Sequence, residues 1–326
     1  MRRRSVLLAI TLVTGATFVA ARAPLQSPPV PLTFIQLTDP QFGMYENNAS
    51  FAQETANLEF AIATANRLRP AFVAVTGDLV NRAGDEAQTA EYRRIVAKLD
   101  PAVRLYNVAG NHDVENKPTP ASLQAYTDRF GPDRYTFRHG DLVGVVINTC
   151  LIAAPEGAPV EARAQDEWIE GELAAARRSG ARHIVVFLHH PLFTGDPDEA
   201  DKYENLPLPR RTRLLGLFRG AGVRYVFAGH FHANTIVEGG GIEMVTTGPI
   251  GMPLRGAKSG MRVGIAGEAG IEHRYYELGE LPNRIAPPGS GRSTAVTISS
   301  YRSVISVNRP DPGGAGVRLP LAADWR

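Results

Sequence analysis

Five short polar segments in this sequence carry side chains of the kinds that bind divalent metal ions. They contain aspartate, asparagine, glutamine and histidine, and they hold five of the eight histidines of the chain. In chain order they are Asp39 with Gln41, Gly77 and Asp78 with Asn81, Gly110 to Asp113, His189 with His190, and His230 with His232. Carboxylate, amide and imidazole ligands suit hard to borderline divalent ions, and no thiolate is needed. We interpret the segments as one metal-binding constellation.

The number of candidate ligands predicts two ions. About seven ligands are too many for one tetrahedral zinc site. Two ions about 3.5 to 4 Å apart share a bridging carboxylate and a bridging hydroxide, and such a hydroxide attacks phosphorus in line. Their charges also neutralise the equatorial oxygens of a transferring phosphoryl group. The residue types therefore predict a phosphohydrolase with two divalent ions, which are manganese, iron or zinc.

Short apolar segments that read as β-strands precede the polar segments. The strand candidates span residues 33–39, 71–78, 104–113, 142–149, 183–191, 225–232 and 243–248. Helical spacing predicts helices around Leu58, Ile62, Ala65 and Leu68 and over residues 86–99, 162–178 and 208–220. Continuous apolar strands favour α/β sheets buried on both faces, which bind ligands at the carboxyl ends of their strands. The polar segments fall at such ends.

The first segment, LTDPQFG from Leu37 to Gly43, permits two interpretations. Asp-Pro opens turns readily, so Asp39 and Gln41 are solvated turn residues in one of them. In the other, both are metal ligands. Residues i and i+2 of an extended strand share a side, so the two side chains would enter one crevice. The four further segments favour the second interpretation.

The segments resemble the motifs of the calcineurin-like metallophosphoesterases, which run D-x-H, G-D-x-x-[DN], G-N-H-[DE], H and G-H-x-H. The resemblance covers about residues 32–280 and implies a four-layer α/β sandwich, in which helices flank two mixed β-sheets. The implied ligands are Asp39, Gln41, Asp78 and His232 for one ion, and Asp78, Asn111, His189 and His230 for the other. Asp78 would bridge the ions.

The same resemblance leaves His112 free of the ions. It implies that His112 protonates the leaving oxygen or stabilises its developing charge. Asn81 or Asp113 would orient the His112 ring. His189 is the expected ligand of the His189–His190 pair because the family pattern H-x-P places a proline, Pro191, two residues later.

Gln41 departs from the family pattern, since most members carry histidine there. An amide oxygen is neutral and harder than imidazole, so we expect weaker or altered metal preference at that site. The D-x-Q variant resembles two branches, the animal calcineurin-like domain proteins with serine/threonine phosphatase activity and the manganese-dependent ADP-ribose and CDP-alcohol diphosphatases. The segments HHPLF, the loop after it, and HRYYELGELP near residue 273 favour the first branch.

The substrate is less defined than the metal site. His190 is expected to line the pocket, and Tyr203 and Asn205 in the following acidic loop are candidates to contact substrate. Such a loop is also compatible with simple solvation. The leading hypothesis is hydrolysis of a phosphate monoester or diester on a small molecule or phosphoprotein. The alternatives are a nucleotide-sugar or ADP-ribose pyrophosphatase and a metal-bound binding module without turnover, although an intact His112 speaks against the module.

Residues 1–21 have the layout of a secretory signal, with three arginines, an apolar stretch and small residues before a cleavage after Ala21. The stretch is too short for a comfortable membrane span, although a retained anchor or a buried helix is the alternative. We expect export to the periplasm or the extracellular space through the general secretory or the twin-arginine route. The RRRSVLL run fits the second route.

Charge excludes one class of partner. Removal of residues 1–21 takes away three arginines and no acid, so the formal charge falls from +2 to −1. No basic field is left for nucleic acid, whose binding depends on clustered Lys and Arg. With one cysteine in the chain, an internal disulfide is impossible. Residues 281–326 form an extension rich in Pro, Gly and Ser, with a strand-like segment at 294–307 and no assigned role.

Overall fold

The computed structural model describes residues 31–285, within which there are eleven β-strands and seven α-helices. The strands are β1 (Leu32–Leu37), β2 (Phe72–Thr76), β3 (Arg104–Val108), β4 (Tyr135–His139), β5 (Leu142–Val146), β6 (His183–Phe187), β7 (Tyr225–Ala228), β8 (Thr235–Gly239), β9 (Ile242–Thr246), β10 (Gly260–Ala266) and β11 (Ile271–Glu277). The helices are α1 (Ala52–Leu68), α2 (Glu86–Val96), α3 (Asn111–Val114), α4 (Pro120–Phe130), α5 (Cys150–Ala153), α6 (Pro159–Arg178) and α7 (Leu208–Ala221).

The strands form two mixed sheets. The first has the order β11-β10-β1-β2-β3 and the second the order β4-β5-β6-β7-β9-β8. Strands β1, β2 and β3 are parallel, as are β5, β6, β7 and β9. Strands β10, β11, β4 and β8 pair antiparallel to their neighbours.

Both faces of each sheet are buried, which produces four layers. In β2, Phe72 and Ala74 belong to the core between the sheets, whereas Val73 and Val75 pack against α1 and α2. This alternation follows the two-residue period of a strand. On the second sheet, Val186 belongs to the core formed with α6 and α7. The predicted sandwich of two mixed sheets flanked by helices is confirmed.

Helix ends and edge strands differ from the sequence prediction. Helix α6 begins at Pro159 rather than at residue 162, because proline is well suited to the first helical position. Helix α4 and the strands β4, β8, β10 and β11 were not predicted. Strand β8 alternates between half-buried and exposed residues, so it lacks the continuous apolar run that marked the central strands.

Two predicted segments lie outside the described residues. They are the signal peptide at residues 1–21 and the strand-like segment at 294–307, and both stay predictions. Within residues 31–285, the helices are each too short or too polar to cross a bilayer.

Candidate metal centre

The five polar segments follow the carboxyl ends of β1, β2, β3, β6 and β7. Three of these strands belong to the first sheet and two to the second. Side chains from both sheets meet there, since Nε2 of His189 lies 2.9 Å from Oδ1 of Asn111. The strand-end rule therefore predicted the location of the constellation.

The backbone at this edge is unusual. Five candidate ligands have a positive φ without being glycine, namely Asp39 (48°), Gln41 (42°), Asp78 (50°), His230 (66°) and His232 (55°). Left-handed backbone is uncommon for such residues and is often found at functional sites. The expectation that strand alternation aligns Asp39 with Gln41 is wrong in its geometry. The strand ends at Leu37, and the backbone after it is left-handed at both residues, whose side chains are buried.

Two motif glycines allow the segments to approach each other. A Cβ atom at Gly77 would collide with the His189 ring, and one at Gly110 would collide with the backbone nitrogen and carboxylate of Asp78. Gly77 also has a φ of +93°, which an L side chain rarely adopts. The glycines of the GD and GNHD segments therefore set the packing distance between the strand ends.

Backbone carbonyls fix the direction of the three predicted histidine ligands. His189 and His232 donate their Nδ1–H to the carbonyls of Thr76 and Met252, at 2.9 and 2.7 Å. His230 donates its Nε2–H to the carbonyl of Tyr203 at 2.9 Å. A carbonyl only accepts, so these nitrogens carry the hydrogen, and the other nitrogen of each ring offers a lone pair to a metal.

The two predicted amide ligands are oriented in the same way. Asn111 donates its Nδ2–H groups to Oδ1 of Asn116 at 3.0 Å and to the hydroxyl of Tyr203 at 3.1 Å. Gln41 donates its Nε2–H to Oδ1 of Asn81 at 3.2 Å. Its Oε1 is buried and has no hydrogen-bond partner among residues 31–285. The Gln41 oxygen is therefore free for a cation, and the Asn111 oxygen faces Nε2 of His189 at 2.9 Å.

With the rings and amides held in this way, ring nitrogens of the histidines lie opposite amide and carboxylate oxygens. Nε2 of His189 lies 2.9 Å from Oδ1 of Asn111 and 3.3 Å from Oδ2 of Asp78. Nε2 of His232 lies 3.5 Å from Oδ1 of Asp39. Buried lone pairs that face each other need positive charge between them. The donor set fits divalent ions, which accept carboxylate, amide and imidazole ligands together.

Asp78 connects the two sets of ligands. Its carboxylate lies beside His189, and it also belongs to a group with Asp39 and His232 whose ligand atoms are all within 4.8 Å of one another. This position suits the predicted bridge between two ions. The seven predicted ligands are all buried and all lie at this edge of the sheets.

The pKa values show how the cluster balances charge before an ion binds. Burial raises the pKa of Asp39. Burial also opposes ionisation of Asp78, but His189 and His112 hold the pKa of its carboxyl well below its usual range. Burial alone would lower the pKa of His189, whereas the Asp78 carboxylate raises it to about 9. Burial and the nearby His189 lower the pKa of His230 to about 3. A proton on His189 therefore neutralises Asp78.

His112 lies beside the ligands, and a backbone carbonyl holds its ring as carbonyls hold the ligand rings. Its backbone N–H donates to Oδ1 of Asp78 at 2.9 Å, and its Nδ1–H donates to the carbonyl of Asn81 at 2.8 Å. Asn81 thus holds the ring through its backbone. The Asp113 carboxylate accepts backbone N–H groups of Leu79, Val80 and Gly110 instead, and it makes no hydrogen bond to the His112 ring.

The three predicted substrate contacts differ in placement. Tyr203 is 63% exposed, and its ring lies 4.8 Å from that of His230. Asn205 is buried and bonds to Glu199 and to backbone of its own loop, so its side chain holds the loop together. His190 is buried and bonds to Thr149, a residue that the sequence analysis missed. Thr149 ends the strand candidate 142–149, and that position was the available signal.

A second polar group, which we call the Arg262 cluster, is built around the buried side chains of Arg262 and Thr247 and also contains Asn234, His273 and Glu243. Arg262 donates to Oγ1 of Thr247 at 2.7 Å, to Oδ1 of Asn234 at 2.9 Å and to Nδ1 of His273 at 3.0 Å. His273 donates its Nε2–H to Glu243 at 2.5 Å. Hydrogen bonds therefore connect the Arg262 guanidinium through the His273 ring to the Glu243 carboxylate.

The Arg262 cluster is connected to the strand ends that carry the ligands. Thr247 donates to Oε1 of Gln36 at 2.6 Å, and Gln36 donates to Oγ1 of Thr76 and to the carbonyl of Ala228, both at 3.0 Å. Thr76 ends β2, and its carbonyl accepts the Nδ1–H of His189. Ala228 ends β7. The network therefore ties the ligand-bearing ends of both sheets together.

Known proteins similar to this chain share its motifs or its fold. The profile of the calcineurin-like phosphoesterase family matches residues 32–234. The serine/threonine-protein phosphatase CPPED1 of Danio rerio is 33% identical over 269 residues, covering 78% of this chain and 87% of that protein. A cAMP/cGMP dual specificity phosphodiesterase of Mycobacterium tuberculosis is 29% identical over 174 residues, covering 52% of this chain and 50% of that protein. A dimetal phosphatase structure from Danio rerio has a TM-score of 0.50 at 17% identity, covering 76% of this chain and 99% of that chain.

Proposed function

The chain belongs to the calcineurin-like phosphoesterase family and is a dinuclear metallophosphoesterase, and we propose that it hydrolyses phosphate monoesters outside the cytoplasm. The observation that carries the proposal is the contrast between His112 and the three ligand histidines. The free nitrogens of His189 and His232 face oxygens of other ligands, and the His230 ring lies against the His189 ring. The Nε2 of His112 has no hydrogen-bond partner among residues 31–285. It is therefore available to a leaving oxygen.

The metal ions and the His112 side chain have different roles in the proposed reaction. The seven predicted ligands would hold two divalent ions, which would polarise the phosphoryl oxygens and make a water nucleophilic at neutral pH. Asn81 keeps the His112 ring in place through the Nδ1–H bond. A protonated His112 then holds its second proton at Nε2, where it is donated to the leaving alkoxide. Manganese, iron and zinc each suit the ligand types.

The relatives support monoesters over diesters. The CPPED1 phosphatase matches this chain over 87% of its own length, and its name describes monoester hydrolysis on phosphoproteins. The mycobacterial phosphodiesterase matches over 50% of its length. A diester is therefore the second candidate. Substrates for an exported enzyme are small phosphorylated molecules or phosphoproteins outside the cytoplasm.

A panel assay tests the substrate class. The purified protein is loaded with manganese, iron, zinc, cobalt or magnesium and offered p-nitrophenyl phosphate, bis-p-nitrophenyl phosphate and ADP-ribose. We expect the highest kcat/KM with the monoester. A preference for the bis ester would make the protein a diesterase, and a preference for ADP-ribose would make it a pyrophosphatase. Two bound ions without turnover of any ester would indicate a binding module.

Export is the second part of the proposal. Its support is the layout of residues 1–21, which combines arginines, an apolar stretch and small residues. Mass spectrometry of the protein from the medium or periplasm should find a mature chain that begins at Arg22. A mature chain with Met1 would identify an anchor or a retained helix. Replacing Arg3 and Arg4 with lysine should block export by the twin-arginine route, and unchanged export would favour the general secretory route.

A further inference from the structure

His190 lies among the metal ligands, and its role is open. Its side chain is 5% exposed, and its ring centroid is 5.0 Å from that of His189 and 4.3 Å from that of His230. One nitrogen of each of these rings lies within 4.8 Å of the others. Distance alone therefore permits His190 to be a further metal ligand. The direction of its hydrogen bonds leads to a different role.

Thr149 decides which nitrogen of His190 carries hydrogen. The hydroxyl of Thr149 accepts the backbone N–H of His190 at 3.0 Å and lies 2.9 Å from Nδ1 of the same residue. Thr149 is fully buried, and Nδ1 is the acceptor available to its hydroxyl hydrogen among residues 31–285. A buried hydroxyl hydrogen without an acceptor is costly. Thr149 therefore donates to Nδ1, and the hydrogen of the imidazole lies on Nε2.

This arrangement is the reverse of that in the ligand histidines. His189, His230 and His232 each give one N–H to a carbonyl and keep a lone pair for an ion. His190 has its lone pair engaged by Thr149 and keeps an N–H. Neither of its nitrogens is available to a metal. Its Nε2–H has no acceptor within hydrogen-bond distance among residues 31–285.

We propose that the Nε2–H of His190 binds a non-bridging oxygen of the phosphoryl group, in the substrate and in the phosphate product, and that Thr149 positions it by fixing the tautomer. The inference rests on the proposed phosphoesterase function and names the residue that recognises its phosphoryl group. The donor is buried and lies beside two ligand rings, where an anionic oxygen of a bound phosphate is the acceptor that the site lacks. A charged acceptor also makes the hydrogen bond stronger than a neutral one.

The tautomer is tested without turnover. In the zinc-loaded full chain with ¹⁵N-labelled histidine, long-range ¹H–¹⁵N spectra distinguish a protonated from a bare ring nitrogen, and His190→Gln identifies the signals. We expect a bare Nδ1, a protonated Nε2, and a shift of the Nε2 signal when inorganic phosphate is added. A bare Nε2 in the spectrum, or an Nε2 signal that phosphate leaves unchanged, would overturn the proposal.

Phosphate affinity and metal content test the contact itself. His190→Leu should keep two ions and weaken binding of inorganic phosphate about tenfold or more, since a hydrogen bond to a charged group is lost. Thr149→Val should weaken phosphate binding in the same direction, and Thr149→Ser should restore it. His139→Leu, whose ring lies outside the metal centre against Tyr106, is the matched control and should change neither quantity. Loss of an ion in His190→Leu would identify a ligand instead.

The two proposals fail in different ways. If the parent protein hydrolyses no phosphoester but binds phosphate through His190, the proposed function is wrong and the contact stands. If the parent hydrolyses monoesters and both His190→Leu and Thr149→Val bind phosphate as tightly as the parent, the His190 contact is wrong and the function stands. Should His190→Leu lose its fold by circular dichroism, Thr149→Val and the spectra of the parent decide the question.

Discussion

The metal centre is buried and the Arg262 cluster surrounds a buried arginine, and both combine histidine with carboxylate, yet they balance their charges in opposite ways. In the Arg262 cluster each lone pair meets an N–H, because the guanidinium donates to His273 and His273 donates to Glu243. In the metal centre, carbonyls take the ring hydrogens, and the lone pairs of His189 and His232 face oxygens of Asn111, Asp78 and Asp39.

The difference teaches that proximity of histidine to carboxylate does not by itself identify a metal site. The direction of the hydrogen bonds distinguishes the two cases. The Arg262 cluster contains its own cation, because burial lowers the pKa of Arg262 only to about 10. The metal centre has no arginine or lysine among its seven predicted ligands and must take up cations from outside. The predictions below test this distinction.

The largest effect is expected for Asp78→Asn, which keeps the shape of the bridging side chain and removes its charge. The variant should lose most of its bound metal and about a thousandfold or more of its turnover, because preorganised charge at the reacting group is lost. Metal analysis together with kinetics measures both. The matched control is Glu243→Gln, the same kind of change in the Arg262 cluster, which should keep two ions. Two ions per chain in Asp78→Asn would contradict the bridge.

Arg262→Met should lower the free energy of unfolding by about 3 kcal/mol, because it removes three hydrogen bonds from a buried guanidinium, each worth about 1 kcal/mol. Urea unfolding measures it with and without added metal, and we expect the loss under both conditions. Arg255→Met is the control, since Arg255 pairs with Glu204 at the surface and such pairs contribute about 1 kcal/mol or less. Recovery of Arg262→Met by metal ions would show that the two clusters are not separate.

His112→Ala should keep both ions and lose about a hundredfold in kcat, since a general acid typically contributes that much. The ring of His112 is held by the Asn81 carbonyl, like a ligand ring, but its Nε2 faces no acceptor of the cluster. Its Nε2 has no hydrogen-bond partner among residues 31–285, so we expect it to act as an acid rather than as a ligand. Metal analysis of the variant is the decisive measurement, and a large loss of metal would identify His112 as a ligand instead.

The sequence was informative wherever burial requires continuous apolar residues. The apolar strands were predicted for that reason, the helices α1, α2, α6 and α7 were predicted from helical spacing, and the ligands were located by the strand ends. Strands β4, β8 and β11 were missed because their residues are largely half-buried or exposed. Strand β10 also carries the buried Arg262, whose partners Asn234 and Glu243 are distant in the sequence.

The orientation of the ligands was beyond sequence reasoning. The histidine rings are fixed by the carbonyls of Thr76, Tyr203 and Met252, and every residue has a carbonyl, so no residue type signals such a partner. The left-handed backbone at Asp39 and Gln41 was likewise hidden, because these residue types also fit an extended strand end. The motifs therefore identify the ligand residues, whereas tertiary contacts determine how their side chains are oriented.

Gln41→Ala should weaken the binding of one ion about tenfold, in line with the loss of a residue that supports a metal site. Gln41 is buried with an unpartnered Oε1, so its oxygen is placed to receive a cation. Gln41→His should restore the common ligand set and shift the metal optimum. Titration with manganese and zinc tests both variants, with the exposed Gln53→Ala as control. Gln41 is too buried to be the solvated turn residue of the first interpretation, and unchanged binding and turnover in Gln41→Ala would show that it is not a ligand either.

The smallest effect is a proton released when the metal binds. In metal-free protein the Asp78 carboxylate outweighs the effect of burial and raises the pKa of His189 to about 9, so at about pH 7.5 the ring carries a proton on the nitrogen that faces the ligands. An ion needs that lone pair, so binding should release about one proton from His189.

The sign of the pH dependence follows from the raised pKa. Below about pH 9 the proton is present and is displaced by the ion, whereas above about pH 9 it is already lost, so the release should fall towards zero as the pH rises. His230 adds nothing, because its pKa is lowered to about 3. Calorimetric titration in buffers of different ionisation enthalpy measures the release at about pH 7.5 and about pH 10. The proton on His189 then corresponds to Arg262 in the other cluster, as a cation that the site holds until metal replaces it. Equal release at both pH values would show that His189 is not that cation.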